Sequence, residues 1–245
     1  MDDKLQQIDT LLGELNQYRA NENYRITEAL EIEYTYDSNR IEGNTLTLHE
    51  TDMVVNKGIT IAGKGLREHL EAINHKEAID FIKDIAQKKE PISERVLLDI
   101  HAIVLHSIDK DNAGKYRRVP VIISGSKHIP PQPYLLQPKM DELFQWYEAN
   151  KDSIHPVVLA AQMHEKLVSV HPFIDGNGRT ARLLMNLILM QHGYPIANIK
   201  GDNETRRRYY ETLEEASSGD NSAFVEFIED VVIQSLTYYL KIIRG

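Results

Sequence analysis

One polar stretch interrupts an apolar part of the chain and decides how that part can fold. It reads His171-Pro-Phe-Ile-Asp-Gly-Asn-Gly-Arg-Thr-Ala-Arg182. Residues 156–170 before it are apolar at helical spacing, and residues 183–192 after it are mostly apolar. We therefore predict a helix–loop–helix. Its loop holds a histidine, a carboxylate, two glycines and an asparagine, and two arginines stand where the second helix begins.

The glycines and arginines of this stretch suit an anion. Gly176 and Gly178 permit backbone angles closed to other residues, so that successive N–H groups can turn toward one point. The helix that begins there adds its free N–H groups and its dipole. Arg179 and Arg182 lie three residues apart on one helical face, and each can bind phosphate oxygens through two N–H groups. The pattern predicts a phosphate-binding site.

His171 and Asp175 add chemistry to that site. A histidine is the side chain best suited to accept a proton near neutral pH. A carboxylate is a hard oxygen ligand that can hold Mg²⁺ against a diphosphate. The set predicts a site that binds nucleotide phosphates with Mg²⁺ and deprotonates an attacking group. A structural alternative is a glycine-rich helix start with a buried histidine and two solvated arginines, but such a helix start needs neither the carboxylate nor both arginines.

The stretch also resembles the signature of the Fic (filamentation induced by cAMP) family, His-Pro-Phe-x-Asp/Glu-Gly-Asn-Gly-Arg-x-x-Arg, at every fixed position. The resemblance implies an all-α Fic fold, with a helical core around a helix–loop–helix active site. It also implies an enzyme that transfers AMP from ATP to a hydroxyl group of a protein, with Mg²⁺ as cofactor.

The resemblance assigns a role to each position of the loop. His171 deprotonates the target hydroxyl, and Asp175 holds the Mg²⁺ that bridges the α- and β-phosphates. The backbone of residues 176–178 binds the α-phosphate together with the Asn177 side chain, and the two arginines hold the β- and γ-phosphates. Phe173 anchors the loop in the core. The predicted ATP-binding residues of the loop are Asp175, Gly176, Asn177, Gly178, Arg179, Thr180, Ala181 and Arg182.

A second motif lies near the N-terminus, after a predicted helix at residues 26–36. From the pattern alone, Ser38 and Glu42 lie four apart on the solvated face of a helix that ends at Gly43. The segment resembles the inhibitory motif of the same family, Ser/Thr-x-x-x-Glu-Gly/Asn. The resemblance implies that Glu42 pairs with Arg182 and keeps that arginine from the γ-phosphate.

Residues 114–134 differ in character from the helices around them. A β-branched run, a turn of small residues and a proline-rich return predict one small β-hairpin, with an ordinary surface loop as the alternative. The family resemblance implies a flap whose edge pairs with an extended segment of the target protein, a common mode of recognition. The predicted target-docking residues are Val121, Ile122, Ile123, Ser124 and Gly125.

A predicted helix at residues 203–216 carries three adjacent arginines, which normally form a solvated face, and then Tyr209 and Tyr210. The tyrosines, followed by Ala-x-x-Gly-Asp, are similar to the adenine-pocket segment of the family. The resemblance makes Tyr210 the aromatic wall of the pocket. Many relatives place Asn where this chain has Ser217, whose shorter side chain can still hydrogen-bond to a base.

The remaining pattern is helical. Periodicity predicts helices at residues 4–19, 66–88, 96–108, 138–149 and 224–243, and Thr47 begins a capping box that opens a short helix. Residues 58–65 come close to a phosphate-binding P-loop but lack its Ser or Thr and follow a helix, so we expect a connecting loop. We expect N-terminal helices in residues 1–60, with the inhibitory helix at residues 30–44, and a Fic core in residues 61–245.

Composition limits the partners. A net charge of −9 argues against a nucleic-acid binder. The chain has no cysteine, which fits a reducing compartment, and no window is apolar enough to span a bilayer. We therefore expect a cytoplasmic protein without a membrane partner. The expected partners are ATP and an unidentified protein target, which could be the chain itself, and the family resemblance also allows a homodimer.

Three alternatives to AMP transfer remain open. Glu42 could orient a water that removes AMP from a modified protein, which would make the chain a de-AMPylase or a bifunctional enzyme. The site could instead transfer a phosphate or another nucleotide monophosphate. Lastly, the chain could be a catalytically silent interaction module that assembles through its N-terminal helix.

Overall fold

The computed structural model describes residues 3–244, and within that range it contains ten α-helices and no strand. The all-α fold class is confirmed. The helices are α1 Asp3–Tyr18, α2 Tyr24–Ile41, α3 Leu48–Lys57, α4 Leu66–Lys88, α5 Glu94–Val104, α6 Leu136–Asn150, α7 Pro156–Val170, α8 Asn177–Gln191, α9 Asn203–Ser217 and α10 Ser222–Arg244. Short 3₁₀ helices follow α1 at Arg19–Asn21 and precede α6 at Pro133–Leu135.

Helix α8 lies at the centre of the fold. It is buried on almost every face from Asn177 to Leu189. Its second half is mostly apolar, as expected for a central helix, whereas its first turns bury polar side chains. Helices α7, α4 and α5 pack against it, and α10 packs against α7 and α9. Because only residues 171–176 separate α7 from α8, the loop that connects the two helices is held at one end of this helical core.

The N-terminal helices pack into the same core. Ile8 and Leu15 of α1 are fully buried, and α1 lies against α10. Tyr34 and Ile41 of α2 belong to the same apolar cluster, and α2 packs against α3, α4 and α8. The C-terminal end of α2 therefore lies close to the start of α8.

The capping box at Thr47 and the C-terminal end of α2 can both be compared with the sequence. Thr47 accepts a hydrogen bond from the N–H of Glu50, and the Glu50 carboxylate accepts one from the N–H of Thr47, which confirms the capping box. Helix α2 runs five residues beyond Tyr36, where the apolar spacing stops, and ends at Ile41, two residues before Gly43. Its last turns bury polar side chains from Asp37 to Asn39, which a search for apolar periodicity does not recognise.

The predicted β-hairpin is wrong. Residues 119–131 form an extended loop with a turn at Gly125, whose φ is +82°. Pro120, Pro130 and Pro131 have no N–H with which to build a ladder. The Arg117 guanidinium instead donates to carbonyls on both arms of the loop, at Val119 and Pro131.

The search for a bilayer-spanning segment gave a negative result. Within residues 3–244, every helix is too short or too polar to cross a membrane.

Candidate active site

His171 caps the C-terminal end of α7 in a left-handed backbone conformation, with φ at +48°. Its N–H donates to the Leu167 carbonyl at 3.0 Å, which closes the last turn of the helix. The Nδ1 atom is buried and has no hydrogen-bond partner. Burial, the largest cause, lowers the pKa of the His171 ring to about 4. At neutral pH the ring is therefore uncharged and free to accept a proton.

Side chains that the sequence did not single out hold the loop in place. His101, fully buried on α5, stacks on Phe173 with ring centroids 3.6 Å apart. Its Nε2 donates to the Asp175 carbonyl at 3.0 Å while its Nδ1 accepts from the N–H of Gly114 at 3.0 Å. The two bonds fix one tautomer of a neutral ring, and burial lowers the pKa of His101 to about 4.

Asn177 closes the loop from within. Its side-chain oxygen accepts from the N–H of Phe173 at 3.0 Å, and its side-chain nitrogen donates to the Phe173 carbonyl at 2.9 Å. In this structure the side chain thus shapes the loop, while its predicted contact with the α-phosphate stays a prediction.

Arg117 joins this loop to the extended loop of residues 119–131. It is almost fully buried. Its Nε donates to the His171 carbonyl at 2.9 Å, and its backbone N–H donates to the Pro172 carbonyl at 2.9 Å. The same guanidinium reaches the Val119 carbonyl at 3.0 Å. One side chain thus sets the position of His171 relative to the predicted flap.

Arg182 is bound by the predicted inhibitory segment. Its Nη2 lies 2.7 Å from Oε1 of Glu42 and 2.9 Å from the carbonyl of Ser38, and its Nε donates to the Ser38 hydroxyl at 3.0 Å. Nη1 donates to the Tyr209 hydroxyl at 3.3 Å. Burial by itself lowers the pKa of Arg182, but the charge and hydrogen bond of Glu42 together with Tyr209 and Tyr34 outweigh it and raise that pKa above its ordinary value.

The Glu42 carboxylate also covers the first turn of α8. A Cβ added at Gly178 would overlap it, so the carboxylate rests directly on the glycine backbone. Gly43, the residue after Glu42, takes the left-handed conformation that lets the chain turn away there. A negative charge therefore lies beside the helix N-terminus that the sequence predicts to hold phosphate.

Asp175 belongs to a closed set of four charged side chains. Arg179 Nη2 lies 3.3 Å from Oδ1 of Asp175, and Arg179 Nη1 lies 3.4 Å from Oε1 of Glu71. Arg67 completes the set, because its Nε contacts Glu71 Oε1 at 3.0 Å and its Nη2 contacts Oδ2 of Asp175. Burial raises the pKa of Asp175, but the charge of Arg179, the N–H of Gly176 and Arg67 together hold it below the ordinary value.

Two buried positions of α8 carry free hydrogen-bonding capacity. The Nε atom of Arg179 and the Thr180 hydroxyl have no hydrogen-bond partner, and Nη1 of Arg179 has only its ion pair with Glu71. Ala181 is buried in the apolar core. Arg179 thus keeps one unused N–H group, at Nε, whereas Thr180 and Ala181 lie inside the helix packing.

A cavity of about 640 Å³ is lined by residues of the active-site loop, the predicted inhibitory segment, the extended loop and α9. His171, Glu42 and Gly178 lie in its wall beside the extended loop and α9. Within the described part of the chain, Asp175, Arg179 and Arg182 do not contribute to that wall. The remaining predicted residues in the wall are Ile123, Ser124, Gly125, Tyr209, Tyr210 and Ser217.

The predicted adenine-pocket residues differ in their environments. Tyr209 is buried, and its hydroxyl bonds to His164 Nε2 at 3.1 Å. Tyr210 is 43% exposed and its hydroxyl donates to the Ile41 carbonyl at 3.2 Å, so its ring can face a ligand. The Ser217 hydroxyl donates to the Glu214 carbonyl at 2.7 Å. Ile122, predicted to dock the target, is 90% exposed outside the cavity wall.

Comparison with known proteins gives consistent matches. The sequence model of the Fic/DOC family matches residues 91–189. A protein adenylyltransferase Fic of Nematostella vectensis is 39% identical over 210 residues, which are 85% of this chain and 48% of that protein. Another of the same name, from Culex quinquefasciatus, is 40% identical over 211 residues. The chain thus spans about half the length of the curated relatives it matches.

Solved structures match over almost the whole chain. A fragment of Fic-1 from C. elegans is 31% identical with a TM-score of 0.87, and the match covers 98% of this chain and 72% of that one. A Fic-domain-containing signaling protein from Bacteroides thetaiotaomicron is 29% identical with a TM-score of 0.88, and the match covers 99% of this chain and 97% of that one.

Proposed function

The chain belongs to the Fic/DOC family, and on that premise we propose that it is a protein adenylyltransferase, which transfers AMP from ATP to a Ser, Thr or Tyr hydroxyl of a protein. The observation that carries this proposal is the placement of His171 and of Gly178, in the first turn of α8, in the wall of one cavity. Similar proteins named protein adenylyltransferase Fic support the same activity.

The chemistry follows from the groups in the cavity. The neutral His171 ring accepts the hydroxyl proton, and the hydroxyl oxygen attacks the α-phosphorus of ATP. The bond from that phosphorus to the bridging oxygen breaks, and diphosphate leaves. The backbone of residues 176–178 binds the α-phosphate. Arg179 and Arg182 bind the β- and γ-phosphates once these arginines have left their carboxylate partners. Positioning and charge stabilisation supply most of the acceleration.

The residues at Asp175 fit a magnesium ion. The carboxylate is ionised and its side chain is 40% exposed, next to the predicted phosphate site. Mg²⁺ is commonly held by one or two carboxylates together with substrate phosphates, so a cluster of several protein ligands is not needed. Asp175 would hold the ion, which would neutralise charge on the leaving diphosphate.

Glu42 would lower the AMP-transfer activity of the wild-type enzyme. While it pairs with Arg182, that arginine cannot bind the γ-phosphate, and a carboxylate lies where negative charge has to enter. A hydrogen bond to a charged group contributes about 1.5–3 kcal/mol, which corresponds to about a tenfold to hundredfold change in productive ATP binding.

Removal of AMP from a modified protein is the second candidate. Glu42 and His171 lie in the wall of the same cavity, so the carboxylate could orient a water toward a bound phosphodiester. Incubation of AMP-modified target with wild type and with Glu42→Ala tests this candidate. Faster release by the wild type supports it, and equal release counts against it.

Intact-mass analysis of Glu42→Gly with ATP and Mg²⁺, beside Glu42→Gly/His171→Ala, tests the main proposal. We expect addition of an adenylyl group to the variant or to an added target only when His171 is present. The mass of the added group separates AMP transfer from phosphorylation. No addition to any protein in a lysate would contradict the proposal. The homodimer and the cytoplasmic location stay predictions.

A further inference from the structure

Arg67, in the first turn of α4, contacts the carboxylate on which the proposed metal site depends. Its Nη2 reaches Oδ2 of Asp175 across 108 residues of sequence. Its Nε contacts Glu71 Oε1, one turn further along α4, at 3.0 Å. The guanidinium thus bridges two carboxylates, one of which belongs to the active-site loop.

The two oxygens of Asp175 are held differently. Oδ1 accepts from the N–H of Gly176 at 2.6 Å and lies 3.3 Å from Arg179, a buried arginine. Oδ2 is held by Arg67, whose side chain is 57% exposed. An exposed arginine can move into solvent, whereas the groups on Oδ1 are fixed by helix α8. Oδ2 is therefore the oxygen at which one cation can replace another.

Arg67 would not be left unpaired by such an exchange. Glu71 would still bind its guanidinium, and Glu71 also contacts Arg179 at 3.4 Å. The exchange would remove one exposed ion pair and keep the other, and exposed ion pairs contribute little to stability. A divalent cation with a bound polyphosphate gains much more at the same oxygen, because its charge is larger and Asp175 is partly shielded from water.

We propose that Arg67 is the resident counter-ion of Asp175 and that Mg²⁺ replaces it when ATP binds. This inference rests on the proposed function, since it assigns the metal to Asp175. Arg67 is then a positioning residue that keeps the carboxylate oriented and charge-balanced in the free enzyme. In doing so it lowers the affinity for the metal. Arg67 would thus inhibit metal binding at Asp175, whereas Glu42 would inhibit phosphate binding at Arg182.

Metal binding rather than turnover tests the proposal. Mn²⁺ is the probe, followed by electron paramagnetic resonance in the presence of a non-hydrolysable ATP analogue. All proteins carry Glu42→Gly, so that the nucleotide can bind. The test variant is Arg67→Gln, which removes the guanidinium from the pair. The matched control is Arg95→Gln on α5, whose side chain is 91% exposed and pairs one turn away with Asp99.

We expect Arg67→Gln to bind Mn²⁺ with a dissociation constant at least about threefold lower, and Arg95→Gln to match its parent. Asp175→Asn should abolish this binding with or without Arg67. Equal or weaker binding by Arg67→Gln, while the parent binds Mn²⁺ with nucleotide, would overturn the inference and leave the proposed function intact. If no protein bound Mn²⁺ with nucleotide, both the inference and the proposed metal role would fail.

Discussion

Nη2 of Arg182 lies 2.7 Å from Oε1 of Glu42, and this contact joins the end of α2 to the first turns of α8. The two residues are 140 positions apart in the chain. Their pairing places a carboxylate against Gly178 in the cavity wall and holds the second arginine of the loop. This ionic contact therefore restricts the use of Arg182 by any incoming anion.

Removing the Glu42 charge should strengthen ATP binding. Glu42→Gln keeps the shape of the side chain but removes its charge and weakens its contact with Arg182, so we expect the dissociation constant for ATP to fall about tenfold. Isothermal titration calorimetry measures it. Glu148→Gln, at an exposed position of α6, is the matched control and should behave like wild type. An unchanged constant for Glu42→Gln would show that the pair does not restrict binding.

Loss of His171 should remove transfer without removing binding. In the Glu42→Gly background, His171→Ala should slow AMP transfer about 10²–10⁴-fold, because proton abstraction typically contributes that much. ATP affinity should stay within about twofold, since the phosphates bind to the backbone and the arginines. Transfer is followed with labelled ATP. Transfer at the parent rate would show that another group takes the proton.

Arg117 should matter for stability as well as for transfer. Arg117→Met leaves the part-buried carbonyls of His171 and Val119 without this donor, at a total cost of about 1–3 kcal/mol. For a chain of this size that lowers Tm by roughly 2–12 °C, which calorimetry detects. The adjacent and exposed Arg118 supplies the control, Arg118→Met, whose Tm should not move. Equal Tm values for the two variants would refute this role.

Buried histidines should make the fold sensitive to acid. Burial lowers the pKa of His101 to about 4 and that of His164 to about 3, whereas the unfolded chain takes up these protons near the ordinary value of 6.5. The unfolded state then binds more protons, so the free energy of unfolding falls as pH drops from 6.5 toward 4. Each histidine contributes up to about 1.4 kcal/mol per pH unit.

Urea unfolding at pH 7, 6 and 5 measures this slope. His101→Asn should be less stable at pH 7 but should lose less stability between pH 7 and pH 5 than wild type. His49→Asn, at an exposed position, should keep the wild-type slope. A slope for His101→Asn as steep as that of the wild type would contradict the assignment of these protons to buried histidines.

Local patterns predicted much of the fold. The boundaries of α4 and α7 agree with periodicity, because apolar spacing and end signals lie within a few residues of each other. The loop of residues 171–182 was found because its functional groups are adjacent in sequence. The hairpin was wrong because β-branched residues suggested pairing while the prolines beside them removed the donors that pairing needs.

Long-range contacts were beyond the reach of local patterns. The pairing of Glu42 with Arg182 was predicted only through the family resemblance, since on pattern alone Glu42 belongs to a solvated face. No local pattern singles out Arg67, because its contact with Asp175 spans 108 residues. The stacking of His101 under Phe173 likewise depends on how α5 packs against α8, which no short stretch of sequence encodes.

A crystal structure of Glu42→Gly with Mg²⁺ and a non-hydrolysable ATP analogue tests the central claim most directly. The account predicts the α-phosphate at the N–H groups of residues 176–178, within reach of a hydroxyl bound at His171, and the γ-phosphate on Arg182. A polyphosphate bound elsewhere, or a His171 ring turned away from the α-phosphate, would contradict it.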